Sequence, residues 1–343
     1  MRVIAAASAA LLIAFGGSAG AATYQVASKW PLGGHGGWDY PSIDQATHRL
    51  FLSRATHVIV VDTATGKTIG DIGDTPGVHG IAFAPELNRG YVSAGKADQV
   101  KVFDLDTREI IASVSVGSNP DAILYEPATR QVFAFNGRSA NVSVIDASAN
   151  EVVATIALAG KPEFARADGR GMVFVNIEDK NALAAIDAKK RSVAAVWTLS
   201  TCEGPSGLAL DAAHARSFSV CSNALMTILD TNSGRAVATL PIGKGVDGAE
   251  FDDATQDAFS ANGEGTLTVV HESDPEHFAV SQTLTTARGA RTIALDAATH
   301  ALYLPSAELG EAKPSASDPH PRPPILPNSF FVLAVTPESI KTR

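Results

Sequence analysis

The chain has 343 residues, 45% of them hydrophobic and 6% aromatic, and a net charge of −9 from 27 Lys and Arg against 36 Asp and Glu. An acidic balance of this size argues against nucleic acid and anionic membranes as partners, because the bulk field repels both. With only two cysteines, neither a CxxC pair nor a haem-attachment CxxCH motif occurs, and there is no nucleophile elbow, phosphate loop or HExxH.

The opening "MRVIAAASAALLIAFGGSAGAA" has one early Arg, an apolar stretch, and small residues at Ala19, Ala21 and Ala22. It reads as a secretory signal peptide over residues 1–22, since the apolar stretch is shorter than the roughly 20 residues a membrane span needs. With no Cys at the cleavage site to carry a lipid, the mature product is expected to be periplasmic or secreted, with no membrane span after signal removal.

From about residue 37 onward one pattern recurs seven times: "GWDYPSIDQATHRLFLS", "GVHGIAFAPELNRGYVS", "NPDAILYEPATRQVFAFN", "KPEFARADGRGMVFVN", "GPSGLALDAAHARSFSVC", "GVDGAEFDDATQDAFSAN" and "GARTIALDAATHALYLPS". An anchor falls at Ile43, Phe83, Tyr125, Ala167, Leu210, Phe251 and Leu295, at spacings of 40, 42, 42, 43, 41 and 44 residues. Each copy continues into a third strand such as "HVIVVD" or "NVSVID", a Gly/Asn/Asp turn, and a fourth β-rich run. Four short strands per repeat at this period predict an all-β, seven-bladed propeller with four antiparallel strands per blade, forming one domain over residues 23–343. The last copy ends on "SFFVLAV" (329–335) without a fourth strand, whereas "YQVASKWPL" (24–32) precedes the first copy. The N-terminal strand is therefore expected to complete the last blade.

Within a blade the first residues of the inner strand face the central channel. Four positions before each anchor stand Asp39, His79, Asp121, Glu163, Ser206, Asp247 and Arg291, whereas the position two before the anchor is apolar in all seven copies. Packing positions stay alike between repeats and this polar one does not, which marks it either as a binding ring or as a wetted channel lining. One position before the anchor, where most copies are small or apolar, the fourth and sixth carry Arg166 and Glu250. Converging ionisable groups would shift one another's pKa values and suit a polar small molecule, acid–base work or a metal. The oxygen-rich set with one imidazole would suit a divalent cation such as Ca²⁺ or Mn²⁺, although Arg291 would repel it; no other cofactor is indicated. Trp38, Tyr40 and Phe164 flank the ring as stacking or packing groups. Asn136, Asn176 and Asn262, with Ser53, Ser93 and Ser222, end second strands as turn formers.

Cys202 enters the fifth inner strand and Cys221 ends the strand that pairs with it, so the two are expected to be neighbours, as a disulfide in an exported protein or as two buried thiols. The last blade is interrupted by the Pro-rich "AELGEAKPSASDPHPRPPILPN" (307–328), either a surface excursion or a partial lid bringing His320 and Arg322 to the channel mouth.

The strand ends "GYVSA", "VFAFN" and "VFVNI", with "VIVVDTATGKTIGDI", "VSVIDASANEVVATI" and "MTILDTNSGRAVATLPIG", resemble the YVTN-type repeats of YncE-like exported β-propellers over nearly all of the mature chain. The resemblance implies the same fold. A related superfamily includes lactonases and a muconate-cycloisomerising enzyme with His, Glu and Arg on the same channel face, to which His79, Glu163, Arg166 and Arg291 correspond in kind. Some YncE-like members are associated with DNA, against which the charge here argues. Two functions follow: binding of a small polar ligand or an envelope protein over the channel face through Asp39, Asp121, Ser206, Asp247, Glu250, His320 and Arg322, or an enzyme of lactonase, hydrolase or isomerase type. The enzyme would act on a small carboxylate, lactone or sugar acid, with His79 as general acid/base, Glu163 or Asp121 orienting it, and Arg166 with Arg291 holding the anion.

Overall fold

Each hairpin of the repeat is set by a turn whose chemistry recurs. The residue ending an inner strand is usually an acid, and its side chain accepts the backbone N–H two residues on, as Asp44 does from Ala46, Asp211 from Ala213 and Asp296 from Ala298. A residue in the left-handed region then reverses the chain at His48, Ala215, Gln256 and His300. The computed structural model describes residues 21–313 and 323–338; the expected signal peptide up to residue 20, and His320 and Arg322 of the insertion, lie outside them. Among the described residues the strands form seven four-stranded antiparallel sheets. The first six blades occupy residues 41–72, 78–115, 120–157, 162–198, 205–241 and 246–285.

A blade alone would leave both faces of its sheet in water, and neighbouring blades remove that exposure. Seven apolar clusters form, one at each junction between adjacent blades, for example Phe133, Val142 and Val144 against Val173, Val175 and Ile186. The second and third strands are buried along most of their length, whereas outer strands such as Ser192–Thr198 turn alternate residues to solvent.

The seventh blade consists of Ala294–Asp296, Ala301–Ser306, Phe331–Pro337 and the N-terminal Tyr24–Pro31. The N-terminal strand runs antiparallel to Phe331–Pro337 from Tyr24↔Pro337 to Pro31↔Phe331, as the sequence pattern predicts, with the partner strand ending two residues later than expected. Tyr24 also reaches blade six, where its ring meets Phe259 edge-on at 5.0 Å and its hydroxyl donates to Asp257 at 3.2 Å. The inner strands of blades one and seven have only four and three residues. Around these short strands hydrogen bonds run between blades instead, with Gly248 N–H of blade six donating to the Arg291 carbonyl of blade seven at 2.8 Å and the Thr292 hydroxyl of blade seven donating to the Asp39 carbonyl of blade one at 3.1 Å.

Cys202 and Cys221 are disulfide-bonded with their Cα atoms 5.3 Å apart, beside the pair Pro205↔Cys221. Among the described residues no helix is long and apolar enough to cross a membrane. The insertion leaves and rejoins the blade through a small ladder, with Leu309 bridged to Ile325, Gly310 N–H donating to the Pro324 carbonyl at 2.8 Å, and Leu326 N–H to the Glu308 carbonyl at 2.9 Å.

Deleting residues 23–32 uncovers the edge of Phe331–Pro337 and the apolar side of the blade six–seven junction, so the truncated chain is expected to aggregate or melt far below the parent. Circular dichroism melts check this, and an unchanged transition would refute the closure. Cys202→Ser is expected to cost about 2–4 kcal/mol in chemical denaturation, the usual range for closing a short loop.

Candidate functional site

The seven inner strands start at one mouth of the channel, and their first side chains meet there. Asp39, His79 and Asp121, from three successive blades, come closest: His79 Nδ1 lies 2.6 Å from Asp39 Oδ2 and 3.7 Å from Asp121 Oδ1. Across the ring Arg291 Nε donates to Asp247 Oδ2 at 2.8 Å. Glu163 is buried and takes a hydrogen bond from Lys161 Nζ, which also reaches Glu178, at 2.5 Å in each case. Ser206 is turned to the frame, its hydroxyl donating to the Val246 carbonyl at 3.3 Å.

The strands are pinned so that these side chains keep their places. Ser53 Oγ accepts the Asp39 N–H at 2.9 Å and Ser93 Oγ accepts that of Gly80 at 2.8 Å. Buried Asn176 donates to the carbonyls of Ser206 and Gly207 at 3.0 and 3.1 Å. Asn136 and Asn262 are buried and bond within their own blades, to Ser143 and Thr268. The second-strand Asn and Ser residues therefore hold the ring from behind.

The charges do not balance by pairing alone. Asp121 Oδ1 is buried and accepts no hydrogen bond among the described residues. Burial pushes Asp121 up to about 7, the Asp39 and Asp247 carboxylates adding to the shift while His79 opposes it. Burial and then Asp121 push Glu163 up to about 8 against the pull of Lys161. For His79, burial disfavours the imidazolium, but the Asp39 hydrogen bond and the Asp121, Asp39 and Glu163 charges outweigh it and hold the pKa at about 8. Three groups thus exchange protons near neutrality in one ring, an arrangement that suits recognition of a polar molecule or proton transfer. One ligand atom each from Asp39, His79 and Asp121 lies within 4.8 Å of the others, so these three could also hold a cation.

Arg166 and Glu250 do not join this ring. Arg166 Nη2 pairs with Glu250 Oε2 at 2.7 Å, and the guanidinium also donates to the carbonyls of Leu208 and Ala249 at 2.9 and 3.0 Å. The pair lines a separate chamber of about 400 Å³ with Ser42, Ile81, Ala82 and Leu124, a lining that includes none of the ring residues. Between ring and chamber Tyr40 packs edge-on against Phe164 at 4.7 Å, and Arg166 lies 4.8 Å from the Phe164 ring. Tyr40 is buried and serves as a floor rather than a stacking platform. Arg166 stands three residues beyond Glu163, a span of about 10 Å along an extended strand, which carries it out of the ring despite its nearness in sequence.

On the solvent side a cleft of about 680 Å³ opens beside Arg291, walled by Trp38, Arg288, Leu309, Ile325 and Leu326 and by the glycine-rich segment 34–37. Both ends of the Pro-rich insertion therefore border the mouth. Lys161 and Glu178 escaped the sequence reading, although Lys161 stands two residues before Glu163 and so on the same side of an extended chain.

A ring of seven antiparallel blades with a charged inner rim defines a β-propeller of the kind that commonly mediates binding. The chain belongs to the family described as Domain of unknown function (DUF5074), which matches residues 47–265. No curated protein matches it significantly. Among solved structures it is similar to hydrazine synthase of Kuenenia stuttgartiensis, at 17% identity and a TM-score of 0.69 over 78% of this chain and 92% of that one. It is also similar to the WD40 repeats of RRP9, at 9% identity and a TM-score of 0.75 over 92% and 99% of the two chains, and to U3-55K, at 9% and 0.73 over 90% and 98%. At these identities the likeness is one of fold.

The sign of the pH dependence follows from the three shifts. Asp121 and Glu163 hold their protons more tightly folded than unfolded, and so does His79, so each contributes stability at low pH that is lost as pH rises through its folded value. Melting temperature is expected to fall from about pH 5 to pH 8.5, and Glu163→Gln, which cannot ionise, is expected to be more stable than the parent at pH 8.5 by about 1 kcal/mol or more. A variant less stable than the parent at that pH would contradict the charge crowding.

Proposed function

We propose that this protein is an exported propeller that binds a small polar, anionic molecule over the ring face of its channel. The observation that carries the reading is the buried Asp121 Oδ1, which has no hydrogen-bond donor among the described residues and lies 3.7 Å from His79 Nδ1. A buried acceptor of this kind costs free energy until a donor reaches it, and a ligand hydroxyl or amine would supply one. Asp39 orients His79, Glu163 borders the same site, and Arg291 with Arg288 faces the cleft, where a carboxylate would sit. The cleft falls in the volume range of small-molecule sites, roughly 300–1,000 Å³, and its Trp38, Leu309 and Ile325 walls suit an apolar body. Concavity on this scale favours a small molecule over an envelope protein as the occupant. The disulfide and the YVTN-like repeats support an oxidising, periplasmic or secreted setting.

Hydroxy acids, sugar acids and their lactones share the required donor and anion. The Asp39–His79 pair beside a second carboxyl near neutrality also favours turnover of such a molecule, with His79 as the general acid/base. Arg166 has no part in that reaction, because Glu250 and two carbonyls already occupy its guanidinium. A divalent cation on Asp39, His79 and Asp121 would bridge the ring to an anionic ligand.

Thermal shifts of the parent against a panel of sugar acids, aldonolactones and dicarboxylates are expected to yield at least one stabilising compound. Its shift should vanish in His79→Gln and Glu163→Gln and fall most for anions in Arg291→Ala. Equal shifts in parent and all three variants would place binding away from the ring. If the protein turns the compound over, His79→Gln should stay inactive even at compound concentrations high enough to restore binding.

A further inference from the structure

At the opposite end of the strands from the ring, blades five and six bring together Asp211, His214 and Glu272. Asp211 ends the inner strand Pro205–Asp211, His214 lies in the following turn, and Glu272 lies in the third strand of blade six, Thr266–Asp274. His214 Nδ1 is 2.6 Å from Asp211 Oδ2 and 3.2 Å from Glu272 Oε1. Asp211 Oδ1 is taken by the turn, accepting the N–H groups of Ala213 and His214 at 2.9 and 3.1 Å, which leaves Oδ2 facing the cluster.

Glu272 is the anomaly. Its side chain is 1% exposed, and neither carboxylate oxygen accepts a hydrogen bond among the described residues. The repeats show that packing does not ask for an acid there. In the first five blades the residue after the last paired position of the third strand is Thr63, Leu105, Ala147, Ala188 and Thr231; the same register in blade six gives Glu272. A buried carboxylate without donors costs several kcal/mol unless a proton or a cation compensates it. The neighbouring cation, Arg216, is engaged elsewhere: Nε donates to the Pro275 carbonyl at 2.7 Å and Nη2 meets Glu276 at 3.0 Å.

We infer that Asp211, His214 and Glu272 form a site for a first-row divalent cation such as Zn²⁺ or Mn²⁺, clamping blade five to blade six. The three ligand atoms already lie within 4.8 Å of one another. The 3.2 Å separation from His214 to Glu272 matches the roughly 3–3.5 Å edge of a coordination polyhedron with bonds of about 2.0–2.2 Å, and the 2.6 Å hydrogen bond to Asp211 would open by about half an ångström as the ion replaces its proton. Two carboxylates neutralise the ion, the imidazole favours Zn²⁺ or Mn²⁺ over Mg²⁺, and the half-exposed His214 leaves a path for entry and room for water as the remaining ligands.

The test uses the full chain stripped with a chelator and titrated calorimetrically with Zn²⁺ and with Mn²⁺, with metal content measured after gel filtration. The parent is expected to hold an ion that raises the melting temperature, Glu272→Gln to weaken that site at least tenfold and lose the rise, and Asp39→Asn, in the channel ring, to keep both. His214→Ala, in an exposed turn, provides the same loss should Glu272→Gln fail to fold. No ion in the parent, or undiminished affinity in the folded Glu272 or His214 variant, would overturn the site, as would loss of the binding in Asp39→Asn alone.

Discussion

Closure of the ring is the constraint on which the rest depends. No blade has a core of its own; each of the seven apolar clusters is shared by two neighbours, so one open junction would leave two sheet faces unprotected. The last junctions are sealed by a strand from the far end of the chain, with Tyr24 inserted against Phe259 of blade six and Pro31 paired with Phe331. Closing the ring also fixes how near the seven inner strands come. Their first side chains are forced into one narrow space, and what the sequence puts there has to coexist.

That crowding produces the chemistry of the site. Two of the four carboxylates find direct partners, Asp39 in His79 and Asp247 in Arg291, while Lys161 is divided between Glu163 and Glu178. Asp121 is left beside the Asp39–His79 pair with one oxygen buried and, among the described residues, unbonded. The ring accommodates the surplus by holding protons on Asp121 and Glu163 near neutral pH. Such an arrangement is costly in the free protein and becomes favourable when a ligand brings hydrogen-bond donors to the carboxyls and an anionic group to Arg291, the usual relation between stability and function at a preorganised site. The floor formed by Tyr40 and Phe164 confines the crowding to the upper half of the channel, and the Arg166–Glu250 pair below it is already neutralised.

The repeat made the architecture legible, because a 40–44-residue period with four short strands leaves few alternatives, and the unpaired runs at the two ends predicted their own pairing. The ring position could be read too, since packing positions agree across repeats and Asp39, His79, Asp121 and Asp247 do not follow them. What sequence could not supply was depth along the channel. Arg166 and Glu250 differ from their counterparts as sharply as the ring residues do, yet they lie on the other side of an aromatic floor that only the packing of Tyr40 reveals. Lys161 stands in the loop before the strand and becomes part of the ring because its long side chain folds back over Glu163. The Asp211–His214–Glu272 cluster joins distant residues of two neighbouring blades, and only strand register shows that Glu272 replaces an alanine, leucine or threonine.

The most direct measurement of the account is a pH titration of the ring followed by NMR of the side-chain carboxyl carbons and the His79 imidazole. The charge-crowded ring predicts midpoints near 7 for Asp121 and near 8 for Glu163, with His79 still an imidazolium at pH 7. Ordinary titration of both carboxyls near pH 4, with His79 neutral above about 6.5, would show that the ring is only a wetted lining and remove the basis for a binding site there.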